Sequence, residues 1–349
     1  MIDPRFYDLK GPKSLSEIAR IVGASVPDGF DPDLPIETCG PLDNAGTSAL
    51  VYYQGNPSTG AVAQSIDTQG AACLIRETAR FMLKPDIAPL VVRSARAGFA
   101  LAAAELIVRR GFAPDAIQID ASARLEASVT LGYNVVLGPD AEIGAGTTIG
   151  PNSVIGPGVA IGQHCRIGAN VTIYCAYIGD NVTIGSNSVI GEAGFGVELT
   201  NEGPVDVPQL GRVILQDNVS IGSLCAVDRG AFGDTFLGMG CKIDNFTQIA
   251  HNCQLGRGVV IAAFGGISGS CIIGDNVLMG GRVGIGDHTK IGDGAVISAA
   301  AGVFRDIPAG ENWGGVPAQP LRQWHREVVA LKKLAKKKPS FKSDDQDNK

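Results

Sequence analysis

The chain has 349 residues, which is enough for two or three folding units, and its 45% hydrophobic and 18% charged residues allow a packed core. A formal net charge of -6 gives the surface no general attraction for nucleic acid. No apolar run reaches the ~18–20 residues that a membrane span requires. The first residues, MIDPRFYDLK, also lack the pattern of a secretory signal. We therefore expect a cytoplasmic protein with no nucleic-acid partner and no membrane span.

Residues 1–110 are predicted to form a small α/β domain. Ser14 and Glu17 have the spacing of a capping box, which predicts a short helix that ends near Gly23. Apolar segments separated by turn residues predict three strands, at residues 48–53, 72–76 and 90–93. Two further segments have helical patterns, at residues 60–69 and 95–110.

From about residue 119 an aliphatic residue recurs every six positions, often followed by glycine. The repeat runs in four tracts: Ile119 to Ile173, Ile178 to Ile190, Leu215 to Val227, and Leu237 to Val303. This period is typical of a parallel β-helix, in which three six-residue units close one triangular coil of about 18 residues. We predict a mainly β fold, with a left-handed parallel β-helix of hexapeptide repeats over residues 111–318.

The eight cysteines include no CxxC pair and no spacing typical of a metal site. Five of them fall four residues after an aliphatic anchor, where strand alternation turns a small side chain inward: Cys165, Cys225, Cys241, Cys253 and Cys271. This position predicts buried free thiols, and a redox or metal role is the alternative.

Two segments depart from the repeat. Residues 191–213 break its phase and predict a loop outside the coil, of the kind that often lines a binding face. Residues 319–338 predict a terminal helix that carries seven basic residues and the single acid Glu327. That helix is either a solvated cap or a docking surface for an acidic partner. The polar tail at residues 339–349 is predicted to be disordered.

Together, the repeat, the N-terminal domain and the local motifs resemble the UDP-3-O-acylglucosamine N-acyltransferases of lipid A biosynthesis over nearly the whole chain. The motifs are KIDNFTQIAHNCQLG from Lys242, VDRGAFGDTFLG from Val227, IAAFGGISGS from Ile261, GGRVGIGDHTKIG from Gly280, GGVPAQP from Gly314 and YYQGNP from Tyr52. The resemblance implies acyl transfer from an acyl carrier protein thioester to the 2-amino group of UDP-3-O-acyl-glucosamine. It also implies a homotrimer with active sites between subunits, and no cofactor or metal.

Amide formation needs a base for the amine and a hydrogen-bond donor for the tetrahedral oxyanion. His251, in the family's IAHN motif, is the predicted general base, because the reference pKa of histidine, ~6.5, suits this task. Gly269 falls at the same phase of the repeat, one coil further on the same face, and its backbone N–H is the predicted oxyanion donor. A surface histidine and a corner glycine are the structural alternatives.

The resemblance also implies substrate-binding residues. His288 falls near the same edge, two coils and one position after His251. Tyr53 and Asn56 match the family's uridine site, although Thr59 stands where the family has a second aromatic residue; a strand-end tyrosine beside an Asn-Pro turn is the alternative. Asp228 and Arg229 either contact phosphate or sugar, or pair with each other at a coil corner. His164 and His325 match nothing in the family.

Three other functions are compatible with such a fold. A related hexapeptide transferase would use acetyl-coenzyme A, but the long N-terminal domain and the DNFTQIAHN motif argue against it. A zinc carbonic anhydrase needs three converging histidines, and the spacing here does not reproduce them. A non-catalytic scaffold is the third, since fold alone does not determine function.

Overall fold

The computed structural model describes residues 2–55, 66–113, 118–200, 203–315 and 320–336. Most of the described chain is a parallel β-solenoid, which confirms the predicted β-helix of hexapeptide repeats. Its strands form three long sheets. The first sheet contains Thr130–Leu131, Thr148–Ile149, Arg166–Ile167, Thr183–Ile184, Ser220–Ile221, Lys242–Ile243, Val260–Ile261, Leu278–Met279, Val296–Ile297 and Asn312–Trp313.

The second and third sheets complete the triangle. The second contains Val136–Leu137, Val154–Ile155, Thr172–Ile173, Val189–Ala193, Ala226–Arg229, Gln248–Ile249, Gly266–Ile267, Gly284–Ile285 and Gly302–Val303. The third contains Arg124–Leu125, Glu142–Ile143, Ala160–Ile161, Ala176–Ile178, Val213–Leu215, Thr235–Leu237, Gln254–Leu255, Ile272–Ile273 and Lys290–Ile291. All pairs within these sheets are parallel, so each coil adds one strand to every side of the prism.

The coils are regular because most strands pair with the strand exactly three hexapeptide units further along the chain, as in Thr148 with Arg166 and Gln248 with Gly266. The aliphatic anchors point into the prism; Ile249, for example, is fully buried. The exceptions are the anchors of the first coil, because no coil before them covers them: Ile119 and Leu125 are 39% and 40% exposed, and Leu131 is half-buried. Each turn needs one residue whose backbone is in the left-handed region. Asparagine tolerates this conformation and often occupies the position, as at Asn152 with φ 58°.

The predicted loop at residues 191–213 is a folded excursion. It contains an antiparallel hairpin, Val197–Thr200 with Gly203–Asp206, and returns to the third sheet at Val213. The excursion lengthens one coil, so that Val189 pairs with Ala226. The predicted inward cysteines are confirmed, since all eight cysteines are buried and free.

The N-terminal region combines a sheet with helices, and the three predicted strands are present in a four-stranded parallel sheet. The sheet contains Thr38–Cys39, Ala49–Tyr52, Ala72–Ile75 and Ala88–Val91. The helices are α1 at Leu15–Val22, α2 at Ala95–Leu106 and a 3₁₀ turn at Glu77–Met82, and the remaining strands are Tyr7–Leu9, Lys13–Ser14, Pro35–Ile36 and Ile107–Arg109. The predicted capping box is present at α1: Ser14 accepts from the backbone N–H of Glu17, whose carboxylate accepts from the N–H of Ser14.

The last helix predicted in this region is confirmed over Ala95–Leu106 but was placed too long, and the described end of the helix predicted at 60–69 is not helical. The helix predicted for residues 95–110 ends at Leu106, because residues 107–109 pair as a strand with Tyr7–Leu9. Residues 66–69 are not helical, and the rest of the helix predicted at 60–69 lies outside the described residues.

Residues up to Gly314 form one compact unit, so the boundary predicted near residue 110 stays a prediction. Within this unit Arg5 donates from Nε to the carbonyl of Gly158 and forms an ion pair with Glu142, which ties the N-terminal region to the coils. The second unit contains α3, at Leu321–Lys336, where a helix was predicted. The tail predicted to be disordered lies outside the described residues. No helix of the described ranges is long and apolar enough to cross a membrane.

Candidate active site at the edge of the second sheet

His251 lies on the corner between the second and third sheets. The strand Gln248–Ile249 buries Ile249, and the chain then turns outward through Ala250 and His251. Asn252 completes the turn with a φ of 61°, which asparagine tolerates. The imidazole is therefore half-buried on the outside of the prism, as the phase of the repeat predicted.

The ring of His251 lies between two glycines. A Cβ added to Gly269, one coil further on, would lie 2.5 Å from Cε1 and 2.7 Å from Nε2 of the imidazole. A Cβ added to Gly194, in the excursion, would lie 2.5 Å from Cβ of His251. Only glycine leaves room for the ring at either position. Gly194 was not predicted, because the excursion has no period from which its place could be read.

The hydrogen bonds of Asn252 determine which nitrogen of His251 carries the proton. The side-chain amide of Asn252 donates from Nδ2 to the carbonyl of Gly233 at 3.1 Å. Its Oδ1 accepts from the N–H of Ala231 at 3.1 Å and lies 3.2 Å from Nδ1 of His251. Since Oδ1 can only accept, Nδ1 is the donor and Nε2 holds the free lone pair. That lone pair is on the side of the ring that faces Gly269.

Gly269 has a backbone N–H that no acceptor among the described residues occupies. Its neighbour Ser270 donates its N–H to the carbonyl of His251 at 2.9 Å, and the Gly269 carbonyl accepts from the N–H of His288 at 3.0 Å. The coil ladder thus holds Gly269 in place while leaving its own N–H available. The same ladder places His288, with an exposed side chain, at the next position along this edge.

Arg229 and Asp228 point in opposite directions. Arg229 is only 6% exposed and donates to the carbonyls of Gln209 and Gly191, each at 2.8 Å, so it fastens the excursion to the coil. Asp228 points outward, and its Oδ2 accepts from Nε2 of Gln248 at 2.6 Å. Burial, only partly offset by this hydrogen bond, raises the pKa of Asp228 to about 6. The two side chains form no ion pair with each other, so the corner pairing considered above is absent.

Two cavities meet beside this corner and share Phe195 and Asp228. The larger, of about 700 Å³, extends between α2, the strand at Tyr7 and the excursion. The smaller, of about 470 Å³, follows the second sheet along Gly266, Gly284 and Gly302 to Phe304. We call this smaller cavity the glycine groove. The two phenylalanines are 85% and 87% exposed.

The glycine groove is smooth because its glycines recur once per coil on the outward face. A Cβ at Gly266 or Gly284 would touch nothing, so these glycines are not required by packing within the chain. Their spacing of one glycine per coil is visible in the sequence, but the prediction of the fold rests on the inward-facing anchors and does not include these outward-facing glycines.

The predicted uridine residues lie elsewhere in the N-terminal region. Tyr53 directly follows the strand Ala49–Tyr52, is half-buried and packs against the buried cluster that includes Val51 and Cys73. It lines neither of the two cavities. Asn56 and Thr59 lie outside the described residues, so their contacts stay predictions.

No group of three or more histidine, cysteine, aspartate or glutamate side chains within the described ranges is arranged to hold a metal ion. His164 is exposed on the corner formed by an early coil.

Comparison with protein families supports the repeat. The protein-family model described as bacterial transferase hexapeptide (six repeats) matches residues 140–175, 158–192 and 234–269. A second family model, described as hexapeptide repeat of succinyl-transferase, matches residues 271–304. A solved Arabidopsis UDP-N-acetylglucosamine acyltransferase is similar with a TM-score of 0.45 and 20% identity, over 62% of this chain and 79% of that one.

Curated relatives are much more similar in sequence. The UDP-3-O-acylglucosamine N-acyltransferase of Caulobacter vibrioides is 49% identical over 96% of this chain and 98% of the relative. The enzyme of the same name from a Methylobacterium species is 40% identical over 96% of this chain and 97% of the relative. The chain therefore belongs to the family of UDP-3-O-acylglucosamine N-acyltransferases.

Proposed function

We propose that the chain transfers an acyl group, with or without a 3-hydroxyl, from an acyl carrier protein thioester to the 2-amino group of UDP-3-O-acyl-glucosamine in lipid A biosynthesis. The observation that carries the proposal is the pairing of His251 with Gly269. A basic Nε2 and an unoccupied backbone N–H lie side by side on an open corner, which are the two groups that acyl transfer to an amine requires.

In this mechanism Nε2 of His251 removes a proton from the attacking amine. The amine nitrogen adds to the thioester carbonyl, and the oxygen, now negative, accepts from the N–H of Gly269. The intermediate collapses as the C–S bond breaks, and the imidazolium returns its proton to the departing thiolate. The products are the amide and the free carrier-protein thiol, so no cofactor is part of the proposal.

The glycine groove is the proposed site for the transferred acyl chain. Its floor is backbone at Gly266, Gly284 and Gly302, and its ends carry exposed phenylalanine rings. Such a surface suits a flexible apolar chain, because burial of its methylene groups contributes ~0.8 kcal/mol each.

A homotrimer is proposed because the groove is open on a single chain. The opposite edge of the second sheet carries a ladder of exposed groups: the rings of Phe246 and Phe264 stack with centroids 4.8 Å apart, and Arg282 lies over Phe264. Exposed aromatic rings are typical of protein interfaces. A neighbouring copy packed on this edge would cover the groove.

We propose that α3 docks the carrier protein, as an acidic partner. Arg322, Arg326, Lys332 and Lys333 are exposed on the helix, whereas its single acid, Glu327, accepts from Gln323. Because the charge of the helix is opposite to that of the whole chain, an acidic partner would be attracted to it specifically. The alternative is that α3 is only a solvated cap. If neutralising these four residues weakens binding of the acyl carrier protein donor, the helix is a docking surface; if donor affinity is unchanged, it is a cap.

For the nucleotide we propose Tyr53 and Asn56 as contacts of the uracil, and His288 as a contact of the sugar or phosphates. Weaker nucleotide binding by Tyr53→Ala would support the uracil contact, and unchanged affinity would rule it out.

The eight free, buried thiols support a reducing compartment, and we propose the cytoplasm.

The decisive experiment incubates the purified protein with a panel of acyl carrier protein thioesters and the 3-O-acylated UDP-glucosamine, and identifies the amide by mass. His251→Ala, checked for assembly by light scattering, is the matched control and should lose ~10²–10⁴-fold in rate. Near-normal transfer by that variant would rule out His251 as the general base. Transfer from acetyl-coenzyme A instead would favour the related transferase, and no transfer at all would favour a scaffold.

A further inference from the structure

Asp228 lies at the junction of the two cavities, next to the candidate base. Its strand pairs with Gln248–Ile249 so that Val227 is opposite Ile249, which puts Asp228 level with Ala250, the residue before His251. Val227 points into the prism and Asp228 points out of it. It is the carboxylate that lines both cavities.

The carboxylate of Asp228 has a hydrogen-bond donor, and the charge of Arg229 favours its ionised form, but it forms no ion pair with that arginine. Gln248 supplies the donor. The nearby guanidinium of Arg229 is directed at backbone carbonyls and at Glu192, 3.7 Å away, and no ion pair within the described part of the chain includes Asp228. A partly buried charge without a counter-ion is costly, and the cost disappears when a ligand brings the opposite charge.

We propose that Asp228 is the subsite for the ammonium group of the acceptor, and that it selects an amino sugar over a sugar with a hydroxyl at the same carbon. This inference rests on the proposed function. Among the groups of that acceptor, the 2-ammonium is the one cation, whereas its phosphates would be repelled by a carboxylate. Asp228 is therefore a sugar contact and not a phosphate contact.

The subsite also explains how the nitrogen reaches His251. The ammonium binds between Asp228 and the imidazole and releases one proton to solvent to become the neutral amine. As this amine attacks, a second proton passes to Nε2, which delivers it to the departing thiolate. The amide product has no charge on this nitrogen, so its attraction to Asp228 is lost after transfer. The attraction thus acts on the acceptor and weakens for the product, which favours release.

The test uses Asp228→Asn, which keeps the shape and can still bond Gln248. Rates and equilibrium binding are measured with the full-length protein at pH 7.5, for 3-O-acyl-UDP-glucosamine, its 2-hydroxyl analogue and the diacylated product. We expect the KM and Kd of the amino acceptor to rise about tenfold or more, with the carrier-protein KM changed less than twofold. Binding of the hydroxyl analogue and of the product should be unchanged. Asp206→Asn, an exposed carboxylate of the larger cavity, is the matched control.

The two acceptors keep the inference testable even if the variant is unstable. In the wild-type protein the hydroxyl analogue should bind about tenfold more weakly than the amino sugar, and equal binding would overturn the subsite. Equal weakening of acceptor and product in the variant would also overturn it, because it would indicate a structural role. If the wild-type protein transfers nothing to the amino acceptor, the proposed function fails instead.

Discussion

The imidazole of His251 lies so close to Gly269 that a methyl group on this glycine would be 2.7 Å from Nε2. The backbone of Gly269 therefore supplies a free N–H and also contacts the imidazole of His251. Base and oxyanion donor are held by successive coils, whose spacing is a property of the strand ladder and not of flexible side chains.

Gly269→Ala should displace the imidazole, because a real Cβ does not approach other atoms to 2.5–2.7 Å. We expect kcat to fall about 100-fold or more, the scale of losing a general base, while the KM values of both substrates change little. Steady-state kinetics measures this. Gly46→Ala, where a Cβ meets nothing, should leave kcat unchanged. A fully active Gly269→Ala enzyme would contradict the arrangement.

Much of this site follows from the repeat alone. Three hexapeptide units per coil put His251 and Gly269 on one corner and His288 beside them, and the ladder of hydrogen bonds from Ser270 to His251 and from His288 to Gly269 has this order. The same repeat spacing predicts the inward-facing cysteines. Periodicity works here because most strands pair with the strand one coil, or three hexapeptide units, further along the chain.

Features that depend on distant or aperiodic contacts could not be predicted in this way. Arg229 turns inward because the excursion offers it the carbonyls of Gly191 and Gln209, and the fold of that excursion follows no repeat. The end of α2 at Leu106 depends on a strand partner near the start of the chain, at Tyr7–Leu9. Local patterns contain neither fact.

Asn252→Asp tests how Nδ1 of His251 is held. The aspartate keeps an acceptor for the N–H at Nδ1, which lies 3.2 Å from Oδ1 of Asn252 in the wild-type protein. We expect kcat to fall less than about tenfold, because the ring keeps its orientation and tautomer. Asn252→Ala, which removes the acceptor, should lower kcat more. Steady-state kinetics of both variants measures this, and equal kcat values would show that Nδ1 has another partner.

Gly284→Val tests the glycine groove. A Cβ at this position touches nothing within the chain, so the substitution should leave the thermal unfolding temperature nearly unchanged while placing two methyl groups in the groove. We expect the kcat/KM for long acyl donors to fall at least tenfold relative to short ones. Valine at Gly46 provides the control for a general effect. Equal loss for all chain lengths would place the acyl chain elsewhere.

Asp228→Asn should also change the stability of the protein in a pH-dependent way. Burial is the main reason that the pKa of Asp228 is raised from 3.8 to about 6, so the folded protein binds this proton more tightly than the unfolded chain. The associated stability is fully present below pH 3.8 and is lost as the pH rises through about 6. The variant avoids this loss, because asparagine does not ionise.

We therefore expect Asp228→Asn to unfold at a higher temperature than the wild-type protein at pH 7.5, and the difference to shrink towards pH 4. Differential scanning calorimetry of both proteins at several pH values measures this, with Asp206→Asn as an exposed carboxylate that should show no such trend. Because the acceptor's ammonium would offset the buried charge, adding acceptor at pH 7.5 should stabilise the wild-type protein more than the variant. A difference in unfolding temperature that is the same at both pH values would mean that Asp228 is not desolvated. The physical reason for an ammonium to bind at Asp228 would then be absent.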